Sequence, residues 1–294
     1  MQTYSLIVCT HNRSEQLNCC LKKLPLKQLS FFQVELIVVN NASTDDTELV
    51  IKEFKQTHYP SLQYLYEPKE GLGNARNAGL RIATGQYILF TDDDCYLPPN
   101  YFSKLEQVLS KQKFDYYGGS LIPYDQQDDE YGHCFIDAHL EIPPYSFLRP
   151  GLILGGHMII SRTVFQAIGF FDPGLGAGKQ YRFEDIDYLS RASLAGLRGA
   201  CIPEIFIFHH HRRKRAGSAV NKIKKQDAYS NGAYAMKLFL MGRSGVVKDM
   251  LRYWIGTLWT VSSFYEIKGF ISYLFNLAGN AKMIKINIHD HDIK

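Results

Sequence analysis

The chain has 294 residues, 46% of them hydrophobic and 21% charged, with a formal net charge of +4. Those proportions exclude a disordered or low-complexity polymer and leave one large domain, or a domain with an appendage. The charge is uneven: residues 201–294 hold 15 Lys/Arg against 6 Asp/Glu, so a basic tail follows an acidic body, and an anionic surface or a phosphate-bearing ligand is expected near the C-terminus.

In chain order, YSLIVCT (4–10) predicts a strand and 14–24 a helix starting near Ser14. VELIVVN (34–40) predicts a second strand. Residues 44–58 predict a helix with acids in its first turn, where the dipole favours them. LQYLYE (62–67) is a third strand, 74–83 a helix, and YILFT (87–91) a fourth strand, after which Pro98 or Pro99 opens another helix. Strands alternating with helices predict an α/β fold with a mostly parallel sheet covered on both faces. Ligands of such sheets sit outside the carboxyl ends of the strands. Three polar clusters fall there: 10–13, 40–46 and 91–94.

Beyond residue 115 the pattern loosens. YYGGSLIP (116–123) and HMIIS (157–161) predict strands, with the polar loop DQQDDEYGH between them. Residues 184–196 predict a helix and CIPEIFIF (201–208) a strand that runs into His209, His210 and His211. Alternation would put His209 and His211 on one face and His210 on the other. Residues 217–285 are helix-rich, with Val247, Met250, Leu251, Trp254 and Leu258 on one face. The apolar stretch 254–279 is interrupted by Glu266 and Lys268 and falls short of the ~20 apolar residues that span a bilayer. Its aromatics suit a membrane interface; a helix packed on the main domain, or a dimer contact, is the other reading. Cys9, Cys19, Cys20, Cys95, Cys134 and Cys201 form no CxxC pair, so reduced thiols of a cytosolic protein are expected. Met1 leads almost directly into a strand, so no secretory signal is expected.

Asp92, Asp93 and Asp94 end a core strand with three like charges, each of which resists burial unless compensated. Asp92 and Asp94 have D-x-D spacing, and their hard oxygens suit Mg²⁺ or Mn²⁺ clamping a diphosphate. LIVCTHNR, VVNNASTDDT, GLGNARNAGL, ILFTDDD and FEDIDYLSRASLAG, then the histidine block, stand in the order seen in family 2 inverting glycosyltransferases. Over roughly residues 4–211 the chain resembles that family.

The resemblance implies the GT-A fold, a nucleotide-diphosphate sugar as donor and a saccharide or lipid-linked acceptor. It implies a catalytic domain over 1–215, with a nucleotide half (1–95) and an acceptor half (96–215); residues 216–294 are left as a helical extension, with 246–285 as its candidate contact with a membrane surface. It places Thr10, Arg13, Asn40, Asn74, Arg76 and Asp92 at the nucleotide, and Asp92, Asp94 and His209 at the metal, Mn²⁺ or Mg²⁺. His211 is the weaker candidate ligand, Asn77 belongs to the same motif as Asn74, and Asp93 is expected to be solvated. Asn40 stands where the family has a base-recognising Asp; Asn can still accept a bond from uracil N3–H, and a UDP-sugar is favoured. Asp185 is the expected general base, with Glu184 as the alternative. The setting implied is surface polysaccharide synthesis on the inner face of the plasma membrane, with no nucleic-acid partner. A sugar-1-phosphate nucleotidylyltransferase would want a Gly-rich loop after the first strand, which THNRSEQ lacks. A non-catalytic saccharide-binding protein is the remaining alternative.

Overall fold

The structure is a computed structural model, and it describes residues 2–111, 113–214, 218–257 and 262–279. Four parallel strands open the chain: β1 (Tyr4–Thr10), β2 (Glu35–Asn41), β3 (Gln63–Glu67) and β4 (Tyr87–Asp92). Between them lie α1 (Ser14–Lys22), α2 (Leu26–Phe31), α3 (Thr47–Thr57) and α4 (Leu72–Ile82). There follow β5 (Cys95–Tyr96), α5 (Tyr101–Lys111), β6 (Tyr116–Pro123), β7 (Leu140–Ile142), a 3₁₀ turn (Gly155–His157), β8 (Met158–Ser161), α6 (Arg162–Ile168), α7 (Glu184–Leu194) and β9 (Gly199–His209). The strands form one nine-stranded sheet in the order β3-β2-β1-β4-β8-β6-β9-β5, with β7 on β9.

Period-two alternation puts Leu6, Val8, Leu36, Val38 and Leu89 on one face, packed with Leu17, Leu21, Ile51, Phe54 and Leu105 of α1, α3 and α5. Ile7, Ile37, Val39, Ile88 and Phe90 take the other, with Ala75, Leu80, Ile186 and Leu189 of α4 and α7. Both faces are therefore covered, as the near-continuous apolar strands require. The second half of the sheet is mixed: β8 pairs antiparallel with β4 and β6, whereas β6 and β9 are parallel. Helix connections are what force strands parallel, and β8 enters from the 140s loop instead.

The tail forms α8 (Ser218–Met241), α9 (Ser244–Thr257) and α10 (Ser262–Gly279). Tyr234, Ala235 and Leu238 of α8 join the second core cluster. α8 and α10 cross closely at Gly232 and Gly269, where an added Cβ would lie 1.7 and 1.8 Å from the Glu266 and Tyr229 carbonyl oxygens. Glu266 does not break the apolar face: it is buried and accepts hydrogen bonds from Asn231 Nδ2 (3.0 Å) and Trp254 Nε1 (2.9 Å). The face expected on α9 is narrower, since Val246 and Met250 are buried while Leu251 is exposed. Leu258 lies outside the described residues.

Candidate active site

A cavity of about 460 Å³ opens at the carboxyl ends of β1 and β4, within the range of small-molecule sites. Seven carboxyl groups and four guanidinium groups line it, an acidic excess that favours a cation.

Each residue of the aspartate triplet has its own compensation. Asp93, expected to be solvated, is instead buried: Thr10 Oγ1 donates to its Oδ2 (2.7 Å) and Arg13 Nη1 meets its Oδ1 (2.7 Å). The chain turns directly after β4, at Asp93 and Asp94. Burial pushes the Asp93 carboxyl up to about 7 against the pull of Arg13. Asp94 sits between Arg13 Nη2 (2.7 Å from Oδ2) and His209 Nε2 (3.4 Å from Oδ1). Burial would raise its pKa, but His209 and Arg13 outweigh that and hold it well below the usual carboxylate range. Asp92 turns towards Arg76 Nη2, 3.5 Å away.

His209 closes β9, and its ring Nδ1 lies 3.0 Å from the Gly132 carbonyl. A carbonyl only accepts, so Nδ1 donates to it, and Nε2 is the ring nitrogen turned towards the Asp94 carboxylate. The gap between Nε2 and the carboxylate is where a proton or a metal ion would sit. Adjacent ligands of an octahedral Mg²⁺-type ion lie ~3 Å apart, so the 3.4 Å separation fits. Cys95 Sγ completes a group with Asp94 and His209 whose ligand atoms lie within 4.8 Å of one another. Its thiol is fully buried and its pKa is pushed well above the ordinary value, which keeps it protonated and makes it a poor partner for a hard ion. The Asp92 carboxylate is not part of that group.

The wall opposite is the start of α7. Phe183 precedes the helix at φ +74°, the left-handed region that a bulky residue rarely adopts. This turn aims the next two side chains into the cavity. Glu184 is buried against Arg76 Nη1 at 2.7 Å. Burial pushes its carboxyl up to about 7, with Arg76 opposing and Asp185 adding repulsion. Asp185 is more open; its Oδ2 accepts the Gly155 N–H (2.7 Å) and its Oδ1 the Ile186 N–H (2.8 Å). Arg76 is only 2% exposed and bridges Asp92 and Glu184, with its guanidinium over the Phe90 and Phe171 rings. Gly155 leaves room for it: a Cβ there would lie 2.4 Å from Arg76 Nη2.

Thr10, Arg13, Arg76, Asp92, Asp94, Glu184, Asp185 and His209 are thus gathered on one cavity. Asn40 and Asn74 are not among its lining residues. Asn40 is buried and its Oδ1 accepts the Ser43 N–H, shaping the turn after β2, while Asn74 Nδ2 donates to the Glu70 carbonyl at the start of α4. Asn41 lines the cavity in their place and anchors the Gly71 N–H. Asn77 braces the Phe171 backbone. His211 packs beside His209 and His133, while His210 turns to Tyr96 and Tyr124, as alternation predicts. His211 Nε2 is taken by the Asp129 carbonyl and Nδ1 by the Arg213 N–H, so neither nitrogen is left for a metal. Of the basic residues 212–214, Arg212 pairs with Glu15 and Lys214 with Asp125 and Asp128; Arg213 alone lines the cavity. Tyr131, Arg182 and Asp227 are lining residues without a sequence signal, because they come from a loop, a helix approach and the tail, whereas Arg213 belongs to the basic run after the histidine block.

A cavity at the carboxyl ends of parallel strands, with acids on one wall and an acidic helix start on the other, matches the nucleotide-sugar transferase fold that the resemblance implies. The solved structures agree. Mannosyltransferase PcManGT from Pyrobaculum calidifontis, in complex with GDP-Man and Mn²⁺, superposes with a TM-score of 0.65 at 17% identity, over 95% of this chain and 79% of that one. S. aureus TarS 1–349 in complex with UDP-GlcNAc superposes at 0.60 and 16% identity, over 97% and 76%. The fold is GT-A. The Glycosyl transferase family 2 profile matches residues 5–169, and the chain belongs to that family. Among curated relatives, glycosyltransferase GlyG of Streptococcus pneumoniae serotype 4 is 28% identical over 179 residues, 56% of this chain and 59% of GlyG. Glycosyltransferase GlyA of the same organism is 28% identical over 138 residues, 47% of this chain and 19% of GlyA. The chain thus spans less than two thirds of either relative.

Proposed function

We propose that the protein is a metal-dependent inverting glycosyltransferase that moves a sugar from a nucleotide-diphosphate donor to a hydroxyl of a saccharide or lipid-linked acceptor. The observation that carries this reading is the convergence of the Asp94–His209 pair and the Glu184–Asp185 pair on one cavity. Asp94 and His209 would hold Mn²⁺ or Mg²⁺, with Asp92 at the ribose or a metal-bound water; the ion supplies charge stabilisation for the departing diphosphate. Thr10, Arg13 and Asn41 stand on the nucleotide side. A UDP-sugar is the first donor to test, and GDP-mannose the second, since TarS and PcManGT were solved with donors of these kinds.

Asp185 takes the proton of the acceptor hydroxyl while that oxygen bonds to the anomeric carbon and the carbon–oxygen bond to the diphosphate breaks. One displacement inverts that carbon. Asp185 is preferred to Glu184 because the latter is committed to Arg76 at 2.7 Å. The raised proton affinity of Glu184 keeps it as the alternative.

The tail supports a peripheral membrane contact. Phe264, Ile267, Ile271, Leu274 and Phe275 of α10 follow helical spacing and are 44–70% exposed, with the exposed Lys268 among them. Among the described residues no helix is long and apolar enough to cross a membrane. Such a face suits a lipid-linked acceptor at the inner surface of a plasma membrane, in the assembly of a surface polysaccharide.

The test is a panel of nucleotide sugars assayed for Mn²⁺-dependent hydrolysis and transfer. Release of pyrophosphate from a nucleoside triphosphate and a sugar 1-phosphate, with no sugar transfer, would replace this reading by a nucleotidylyltransferase.

A further inference from the structure

The first tail helix reaches into the site through one carboxylate. Asp227 of α8 lines the cavity, where Tyr131 Oη donates to its Oδ2 at 2.7 Å and Arg182 Nη1 lies 3.1 Å from its Oδ1. One turn further on, Ser230 Oγ accepts the Arg182 backbone N–H at 2.9 Å. Each partner belongs to a loop that sets a different part of the site. Tyr131 immediately precedes Gly132, whose carbonyl fixes the proton on His209 Nδ1 at 3.0 Å. Arg182 lies just before the strained Phe183 turn that delivers Glu184 and Asp185.

The Gly132 carbonyl can point this way because its φ is +95°, a conformation other residues adopt only under strain. Within the loop, Tyr131 N–H donates to Asp129 Oδ1 (2.8 Å) and His133 N–H to the Glu130 carbonyl (3.1 Å). One end is bridged to β6 by the Leu121–Cys134 pair, and the other is tied by Asp129 N–H to the Arg213 carbonyl (2.7 Å). The Tyr131–Asp227 bond ties the loop to α8 from outside the sheet, with Lys224 Nζ of the same helix 5.2 Å from the Tyr131 ring centroid. A carboxylate is a costly anchor, since burial and the nearby Asp185 disfavour its charge, and Arg182, Tyr131 and Arg213 offset that. An apolar seam would hold α8 against the loop with less penalty, so the acid marks a directional constraint.

We propose that Asp227 is a positioning residue: through Tyr131 and Gly132 it holds His209 in the Nδ1–H tautomer with Nε2 turned towards Asp94 and the bound cation. This rests on reading Asp94 and His209 as the cation site. The tail helices are then part of the metal-binding apparatus. Their removal would cost metal affinity even where the sheet stays folded.

The experiment has two readouts on full-length protein. Two-bond ¹H–¹⁵N spectra of histidine-labelled, metal-free protein report the His209 tautomer, with His209→Gln assigning its signals. Calorimetry with Mn²⁺ in the presence of UDP, and separately GDP, reports the cation site. In Tyr131→Phe, which removes a single oxygen, and in Asp227→Ala, His209 is expected to populate both neutral tautomers. Mn²⁺ affinity should fall at least three-fold, short of the 10–100-fold typical when a direct outer partner of a ligand is lost. The double variant should be no weaker than the weaker single one, because both remove the same bond. An unchanged tautomer and unchanged Mn²⁺ affinity in either folded variant would overturn the proposal. A wild type that binds no Mn²⁺ with either nucleotide would overturn the cation reading itself, while the tautomer spectra would still decide whether Asp227 orients His209.

Discussion

Replacing Arg76 by Met tests the electrostatic logic of the site. The guanidinium is buried and pairs with Glu184 at 2.7 Å and Asp92 at 3.5 Å. Met keeps much of the apolar contact with Phe90 and Phe171 but leaves the buried Glu184 carboxylate without its cation. Breaking one side of a buried pair typically costs about 3–5 kcal/mol, and that range is expected at pH 8, where Glu184 is ionised in the wild type. The sign with pH follows from the folded-state value. Glu184 already titrates at about 7, above its ordinary 4.5, so its contribution is fully present below pH 4.5 and is lost as pH rises towards 7. Without Arg76 the folded-state value climbs further, so the variant should approach wild-type stability near pH 5 and fall away above neutrality. Urea denaturation of both proteins between pH 5 and 8.5 measures this. Adding Glu184→Gln should restore most of the loss at high pH, since a neutral amide needs no cation. A pH-independent loss below about 1 kcal/mol, or no rescue by Gln, would refute the account of Arg76 as the counter-charge of Glu184; 1 kcal/mol lies well outside the usual scatter for surface changes.

Three further outcomes are expected. Asp94→Asn should abolish Mn²⁺-dependent binding of UDP or GDP in calorimetry; unchanged affinity in a folded variant would return the triplet to a purely structural role. Asp185→Asn should lower sugar transfer by about 10²-fold or more while donor affinity stays within a few-fold, and Glu184→Gln should cost less. Were the Glu184 variant the dead one, the base would move by one residue. Ile271→Lys with Phe275→Glu should release the protein from sedimenting vesicles of phosphatidylglycerol and phosphatidylcholine without shifting its melting temperature, because both side chains are exposed; undiminished sedimentation would remove α10 from the membrane reading.

Local chemistry in the sequence carried much of this protein. Short β-rich apolar runs, alternating with helical patterns, determined β1 to β4 and the helices between them, because parallel strands need helical crossovers and the ligand end then follows from the chain direction. The D-x-D spacing, the Glu184–Asp185 pair and the histidine block could likewise be read directly, since each places reactive side chains at the end of a strand or the start of a helix. What a side chain does after it arrives depends on neighbours far along the chain. Asp93 is buried because Arg13, eighty positions earlier, lies above it, and Asn40 closes a turn while Asn41 faces the cavity. The sense of β8 was set by the loop that delivers it, and the burial of Glu266 by Asn231 and Trp254 on neighbouring helices. Asp227 is the clearest case. In the sequence it is one polar residue on a long helix. Only the packing of α8 brings it to Tyr131 and Arg182, because contacts between residues so far apart in the chain are decided by packing and leave no periodic trace.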